Sequence, residues 1–483
     1  VRDVRQFLAG EWTESARWTP VRSPKDGQSV ARRREATSEQ MERALAAAQE
    51  AFAACRLLSR GARARLLRGM ADRLKARRAE LAAVILEEAG KPIALAEAEV
   101  DRAILTFTAA SEEAKRLGGE LVPVDVDEAG RAYAPAEVRL VPRGPVLAIS
   151  PFNFPLNLVA HKVAPALAAG ASIIVKPPPQ APSAAQILAE IFVAAAAEAP
   201  GAGERMPLSA LQVIHGPHEV VAAAVGDPRA AVLSFTGSDK VGWALKARAG
   251  RQKVLLELGG DAAVIVARDA DLPRAAARCA FGAFAYAGQV CISVQRIVVQ
   301  REVRERFLEL FLAEVGKIGV GDPARPDVLV GPLIDSAAAD RVEAWIREAV
   351  DGGAKVLAGG GRAANVIAPT VLAGAKPTDK VSCEEVFGPV AVVETFDDEA
   401  DAFAAVNRSR FGLQAGLFTD SAAAIRRAAE ALEVGGLVIN DVPTFRSDVL
   451  PYGGVKDSGL GREGVRWALE EYCERRVVVS WRG

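Results

Sequence analysis

Between residues 37 and 90, Ala, Leu, Met and Ile recur at three- and four-residue spacing among Arg and Glu. That period predicts helices with one buried stripe. Thr37-Ser38-Glu39-Gln40 reads as a helix start, with capping residues ahead of an acid and an amide. A further long helix is expected from about residue 94 to 117, ended by Gly118-Gly119. Residues 1 to about 35 are polar, are broken by Pro and Gly, and read as surface strands and turns. From 121 to 141 the pattern loosens toward alternation around Asp127-Glu128-Ala129-Gly130, which predicts a projecting β-hairpin. Its edge either pairs with another chain or lies at the surface of a monomer.

Beyond the hairpin, short and uniformly apolar runs alternate with helical stretches. The runs fall at 146–149, 172–175, 211–214, 231–234, 254–256 and 263–266, with helices reaching 169 and covering 183–197. This is the pattern of an α/β fold whose parallel sheet is covered on both faces. Ligands of such sheets bind beyond the carboxyl ends of the strands. A second alternating region runs from 271 to about 440. Its helices are expected near 271–286, 301–316, 336–352 and 420–433, and its strands near 295–300, 390–395 and 437–440. The tail from Pro451 holds a Gly-rich loop, a helix and a strand at 476–481.

A chain of 483 residues exceeds one ordinary core, so two or three domains are expected. Its 60 basic and 61 acidic residues balance, which argues against a nucleic-acid or anionic-membrane partner. Five dispersed cysteines without a CxxC pair suggest reduced thiols in a cytoplasmic protein rather than a disulfide framework. With three histidines, a His-rich metal site is not expected. There is no apolar run of membrane-spanning length and no signal-like start.

The candidate chemistry lies in loops. Cys291, in Gly288-Gln289-Val290-Cys291-Ile292-Ser293, sits on a turn between a predicted helix and strand. It is either a nucleophile needing activation or a buried structural thiol. Asn153, in Ile149-Ser150-Pro151-Phe152-Asn153-Phe154-Pro155, is a fixed amide donor or an ordinary Asx turn. Lys176, ahead of Pro177-Pro178-Pro179, faces a ligand's ribose or phosphate, or solvent. Phe235-Thr236-Gly237-Ser238 opens a helix and offers free N–H groups, without a GxGxxG fingerprint. Glu257, in Leu256-Glu257-Leu258-Gly259-Gly260, is a general base with a raised pKa or a salt-bridged acid. Glu385 and Phe387, in Glu384-Glu385-Val386-Phe387-Gly388-Pro389, either support a ribose and a flat ring or form a packed turn.

Taken together, the order and spacing of these blocks closely resemble the NAD(P)-dependent aldehyde dehydrogenase superfamily, along essentially the whole chain. Within it the GQVCIS block and Asn440-Asp441-Val442-Pro443-Thr444-Phe445-Arg446 look like the lactaldehyde dehydrogenase-like and non-phosphorylating glyceraldehyde-3-phosphate dehydrogenase-like branch. The resemblance implies a Rossmann-type cofactor domain (1–120 and 144–258), a catalytic α/β domain (259–447) and a small β oligomerisation element (121–143 and 448–483). It implies a homodimer or homotetramer that uses NAD or NADP to oxidise a small aldehyde to its acid. Cys291 would attack, Asn153 would hold the oxyanion, and Glu257 would activate water against a thioester. Lys176, counted with the catalytic set, and Glu385 would bind the ribose regions. Ile149, Ser150, Pro179, Thr236, Gly237, Ser238 and Phe387 would line the cofactor path. No metal is implied.

Three departures stand out. Pro179 occupies a position where NAD-preferring relatives often carry a Glu, which leaves NADP use open. Val290 precedes the nucleophile where relatives acting on phosphorylated or carboxylated aldehydes have Arg. Phe152, Val290, Phe445 and Arg446 are expected near the substrate, with Arg446 meeting a polar or anionic tail or else forming an interface or surface ion pair. His161, in place of a Trp, caps or packs in its helix, or else pairs with Cys291. The rival classes are a CoA-acylating semialdehyde dehydrogenase, a cysteine hydrolase or acyltransferase, and a structural protein that has kept the fold.

Overall fold

A computed structural model describes residues 1–14 and 17–482. Three sheets organise it. The first has eight strands in the order Gly459–Leu460, Lys253–Glu257, Val232–Thr236, Val146–Ile149, Ile173–Lys176, Leu211–Val213, Gln6–Leu8, Glu11–Thr13. Its five central strands are parallel. The helix Asn157–Ala169 packs against this sheet and is buried along its whole length. Apolar strands read as continuous rather than alternating because both sheet faces are covered.

The second sheet has seven strands in the order Lys355–Ala358, Thr370–Ala373, Val390–Phe396, Arg296–Gln300, Ala263–Val266, Gln414–Phe418, Gly436–Ile439. All are parallel except the first, which runs antiparallel at the edge. Ala263–Val266, expected to continue the first sheet, instead lies at the centre of this one. An apolar run does not reveal which sheet it joins. The switch is made at Gly259-Gly260, where the chain crosses between sheets close to other backbone. A β-carbon at Gly260 would stand 3.0 Å from the Cys291 carbonyl oxygen.

The helical expectations for 37–117 resolve into Ser38–Cys55, Arg60–Ala76, Arg78–Ala89 and Ile93–Arg116. Thr37 forms the capping box with Gln40. The hairpin strands are Gly119–Val122 and Ala136–Pro142, joined through a longer loop than a tight turn. The tail strand is Cys473–Val478 rather than 476–481, in register Cys473↔Pro142 through Val478↔Glu137. Its charged start, Glu474-Arg475-Arg476, hides it from a hydrophobicity reading. The rest of the tail returns to the first sheet through Gly459–Leu460.

Helix Leu272–Phe284 ends in an abrupt reversal. Tyr286 and Ala287 have φ of +54° and +53°, and Gly288 has +68°. For a non-glycine residue this region costs roughly 1–2 kcal/mol. Packing holds it, since Tyr286, Ala287, Gly288 and Gln289 are all buried. At Gly288 a β-carbon would also overlap the Gly388 carbonyl oxygen. Gly288→Ala is therefore expected to lower unfolding free energy by more than the ~1 kcal/mol of an ordinary Gly→Ala strain and to slow turnover. Urea denaturation with fluorescence detection, together with kcat, checks both; wild-type stability would contradict the packing described.

Candidate active site

The carboxyl edge of the first sheet faces the amino edge of the second across a cavity of about 440 Å³. The first sheet contributes Phe152 and Asn153 after Val146–Ile149, Thr236, Gly237 and Ser238 after Val232–Thr236, and Glu257. The second contributes Val290 and Cys291 ahead of Arg296–Gln300, and Glu385 and Phe387 ahead of Val390–Phe396.

Cys291 Sγ lies 3.0 Å from the Tyr452 hydroxyl. Burial pushes the thiol up to about 11, against the pull of the Tyr452 hydrogen bond and the Arg446 charge. Gln289 anchors the loop. Its Oε1 accepts from Ile334 N at 2.9 Å, and its Nε2 donates to the Pro332 carbonyl at 3.3 Å. Asn153 Nδ2 donates to the Gln289 carbonyl at 3.0 Å, so the amide is already turned toward the nucleophile loop. Asn153 Oδ1 and Glu257 Oε2 are buried without a hydrogen-bond partner among the described residues. Burial raises Glu257 well above the ordinary carboxylate range, and the Glu463 charge adds to this.

The cofactor candidates divide between two places. Thr236, Gly237, Ser238, Glu385 and Phe387 line the cavity. Ser238 precedes helix Asp239–Arg248, so the helix N-terminus opens beside it. Glu385 Oε1 accepts from Gly260 N at 3.1 Å, and burial pushes this carboxyl up to about 8. Phe387 meets Phe152 edge-on, with ring centroids 5.9 Å apart. Lys176, Ile149, Ser150 and Pro179 are not among the residues lining the Cys291 cavity. Strand pairing sets Ile149 beside Lys176 at the carboxyl edge, and Ser150 N donates to the Lys176 carbonyl at 3.2 Å. Burial and then the charge of Arg33 push the Lys176 ammonium down to about 8. Lys176 therefore stands at the carboxyl edge of the first sheet but not with the thiol. The path from Lys176 to Glu385 fits a dinucleotide. It offers N–H groups at a helix start, the Glu385 carboxylate and an aromatic wall.

Arg446 is buried and lines the cavity, so it is not a surface residue. Its guanidinium donates to Glu463 Oε2 at 3.1 Å, lies 3.8 Å from Asp448 Oδ1, and stacks 3.8 Å over the Tyr452 ring. Phe445 does not line the cavity and is half exposed. His161 Nε2 is 2.8 Å from Asp448 Oδ1, and His161 does not line the cavity that holds Cys291.

Sequence reasoning did not find Arg102, Lys162, Asp448, Tyr452 or Glu463. Arg102, from helix Ile93–Arg116, forks onto Asp448 at 2.7 and 3.0 Å and lines the cavity. Lys162 Nζ meets Glu463 Oε1 at 3.0 Å and Thr236 Oγ1 at 2.7 Å. Burial works against the charge of Glu463, but Lys162 and Arg446 hold it down at about 2. The one available signal was the Gly-rich tail after Pro451, whose turns return Tyr452 and Glu463 to the first sheet.

The aldehyde dehydrogenase family model matches residues 12–478. A 3-sulfolactaldehyde dehydrogenase of Priestia megaterium is 39% identical over 480 residues, covering 99% of this chain and 98% of that protein. Two crystal structures share the fold. Aldehyde dehydrogenase 21 of Physcomitrella patens, in complex with the reaction product succinate, has a TM-score of 0.95 at 38% identity. It covers 99% of this chain and 98% of that one. The glyceraldehyde-3-phosphate dehydrogenase GapN of Methanocaldococcus jannaschii, complexed with NADP, has a TM-score of 0.92 at 36% identity over 97% of this chain and 100% of that one. The chain belongs to the aldehyde dehydrogenase family and is an NAD(P)-dependent oxidoreductase that converts an aldehyde to its carboxylic acid.

Proposed function

We propose that the substrate is a small aldehyde with an anionic tail and that Cys291, Asn153 and Glu257 carry the chemistry. The observation behind this reading is one cavity that holds a thiol, a preset amide and an unpartnered buried carboxylate, with Arg102 and Arg446 in its wall. Cys291, as the thiolate that the last step regenerates, bonds through Sγ to the aldehyde carbon while the carbonyl π pair moves onto oxygen. The oxygen's developing charge is held by Asn153 Nδ2–H and the Cys291 N–H, a donor of the kind worth about 10²–10³ in rate. A bound nicotinamide supplies the hydride acceptor, and loss of hydride from the former aldehyde carbon leaves a thioester on Cys291. Glu257 takes a proton from water as that water attacks the thioester, and the acid leaves as the thiolate is expelled. Glu385 and Lys176 would hold the two ribose regions of the cofactor, and Phe387 would pack beside the nicotinamide ribose.

The tail reading rests on charge. Arg102 and Arg446 both line the cavity, the first paired with Asp448 and the second with Glu463. Val290 offers no clamp of its own. The sulfolactaldehyde dehydrogenase relative and the succinate complex are consistent with an anionic substrate. NADP is favoured as cofactor because Pro179 carries no carboxylate; Arg33, near Lys176, is already paired with Glu35. The sheet of Gly119–Val122, Ala136–Pro142 and Cys473–Val478 leaves its two outer strands with open edges, and Leu121 and Val477 are 70% and 59% exposed on its opposite faces, which suits pairing with other copies in a homodimer or homotetramer. Five free cysteines suit a reducing cytoplasm.

Glu257→Gln should leave a first-turnover burst of NADPH intact while steady-state turnover falls about 10²-fold or more. Stopped-flow absorbance reads both phases. Undiminished steady-state turnover would assign the base elsewhere, and recovery by coenzyme A would favour an acylating enzyme. Arg102→Gln should raise KM by roughly tenfold for short anionic aldehydes, the scale of one charge-assisted hydrogen bond, and leave neutral aldehydes of equal length unchanged. Equal effects on both series would remove the tail reading.

A further inference from the structure

Lys91 is a buried lysine that the reaction as described does not use. It lies between helices Arg78–Ala89 and Ile93–Arg116, fixed by Gly90 in the left-handed region (φ +62°) and by Pro92. It is 1% exposed, and its partner Glu99 is equally buried. The ammonium donates to Glu99 Oε2 at 2.5 Å and to the carbonyl of Asn153 at 2.8 Å. Glu99 Oε1 accepts from the N–H groups of Leu156 and Asn157, at 2.9 and 3.1 Å. The pair therefore grips both ends of the Asn153 loop.

The same ammonium also packs on two rings, one from each loop. It lies 3.4 Å over the Phe154 ring and 4.8 Å from that of Tyr286. Tyr286 is the first residue of the left-handed step into the Cys291 loop, and its hydroxyl donates to the Ala89 carbonyl at 3.0 Å, two residues before Lys91. Asn153 in turn donates to Gln289. Lys91 thus sits beneath the point where donor loop and nucleophile loop meet. Burial pushes its ammonium down to about 8, offset in part by the charge of Glu99. A charge held at that cost has four partners around it, Glu99, the Asn153 carbonyl and the rings of Phe154 and Tyr286, and all but Glu99 belong to the donor and nucleophile loops.

We propose that the buried Lys91–Glu99 pair is a positioning device that sets the oxyanion donor Asn153 against the Cys291 loop. Lys91 touches neither substrate nor cofactor in this role; it acts through Asn153. The inference rests on Asn153 being the oxyanion donor, so its test separates the two.

The test is a mutant cycle on the hydride step, read as the first-turnover rate of NADPH formation at saturating substrates. Lys91→Met with Glu99→Gln removes both charges together, while the introduced amide oxygen still accepts from the N–H groups of Leu156 and Asn157. Removing one partner alone would strand a buried charge. The double variant is expected to slow the step at least tenfold, with the NADP dissociation constant from fluorescence quenching unchanged within twofold. Asn153→Ala is expected to slow it about a hundredfold. Adding the Lys91 and Glu99 changes to Asn153→Ala should cost less than a further threefold, because the donor they position is gone. Losses that multiply in the combined variant would overturn the positioning role, as would a wild-type rate in the folded double variant. A wild-type rate in Asn153→Ala would overturn the oxyanion assignment and the inference with it. If the double variant does not fold, Lys91→Arg, which keeps the charge but not the shape, takes its place in the same cycle with the same expected pattern.

Discussion

Two parallel sheets meet at unlike edges, and the cavity follows from that constraint. Parallel strands gather their outgoing loops at one edge and their incoming loops at the other. The first sheet presents outgoing loops, with Asn153, Thr236 and Glu257. The second presents incoming ones, with Cys291 and Glu385. The chain passes from one to the other at Leu258-Gly259-Gly260, directly after Glu257. A β-carbon at Gly259 would overlap the Glu385 carboxylate, and one at Gly260 would crowd the Cys291 carbonyl. Three functional groups therefore converge where the backbone is thinnest. Neither glycine has a positive φ, so close approach and not conformational freedom is the reason for glycine there.

Around that crossing the environment drives two carboxylates apart. Glu257 and Glu463 line one cavity and sense each other's charge. Lys162 and Arg446 bind Glu463 directly and keep it ionised. Glu257 Oε2 has no such partner among the described residues, and burial makes its charge unfavourable. Like neighbours with opposite shifts are what an acid–base site requires: a fixed anion that holds the framework and a second group able to change its proton. The thiol follows the same logic. Its burial disfavours the thiolate, while Tyr452 and Arg446 favour it, so ionisation is matched to what fills the cavity.

How much of this is legible in the sequence depends on whether a role is carried by a local pattern. Strand–loop motifs are readable because chemistry and geometry share a few residues: Asn153 after its strand, Glu257 before two glycines, Cys291 after one. Most helices and strands follow from period. Ala263–Val266 does not, because periodicity describes burial and not the choice of sheet. Arg102, Lys162 and Tyr452 are silent for a different reason. Each lies in an ordinary helix or turn and acquires a role only when a distant segment arrives beside it. Arg102 and Asp448 are far apart in the chain and 2.7 Å apart in space. Arg446 is visible as a candidate, but its surroundings are not: an Arg in a polar stretch reads as exposed until Glu463 and Tyr452 close over it.

The same network explains how an anionic tail can be recognised without a clamp beside the nucleophile. Arg446 is committed: it bonds Glu463, stacks on Tyr452 and is almost wholly buried. Drawing it toward a ligand would strand Glu463 against Lys162 alone. Arg102 is less committed, since its side chain is 27% exposed and its partner Asp448 also receives His161 and Asn157. If a substrate anion takes one arm of Arg102, Asp448 keeps those donors, and no buried charge is left unpaired. The proposed discrimination then falls on the arginine whose exchange of partners costs least, with Arg446 supplying fixed field behind it. Val290 has a complementary part in this arrangement. An apolar residue beside the thiol offers the proposed anionic tail no charge there, which leaves its recognition to the arginines of the cavity wall.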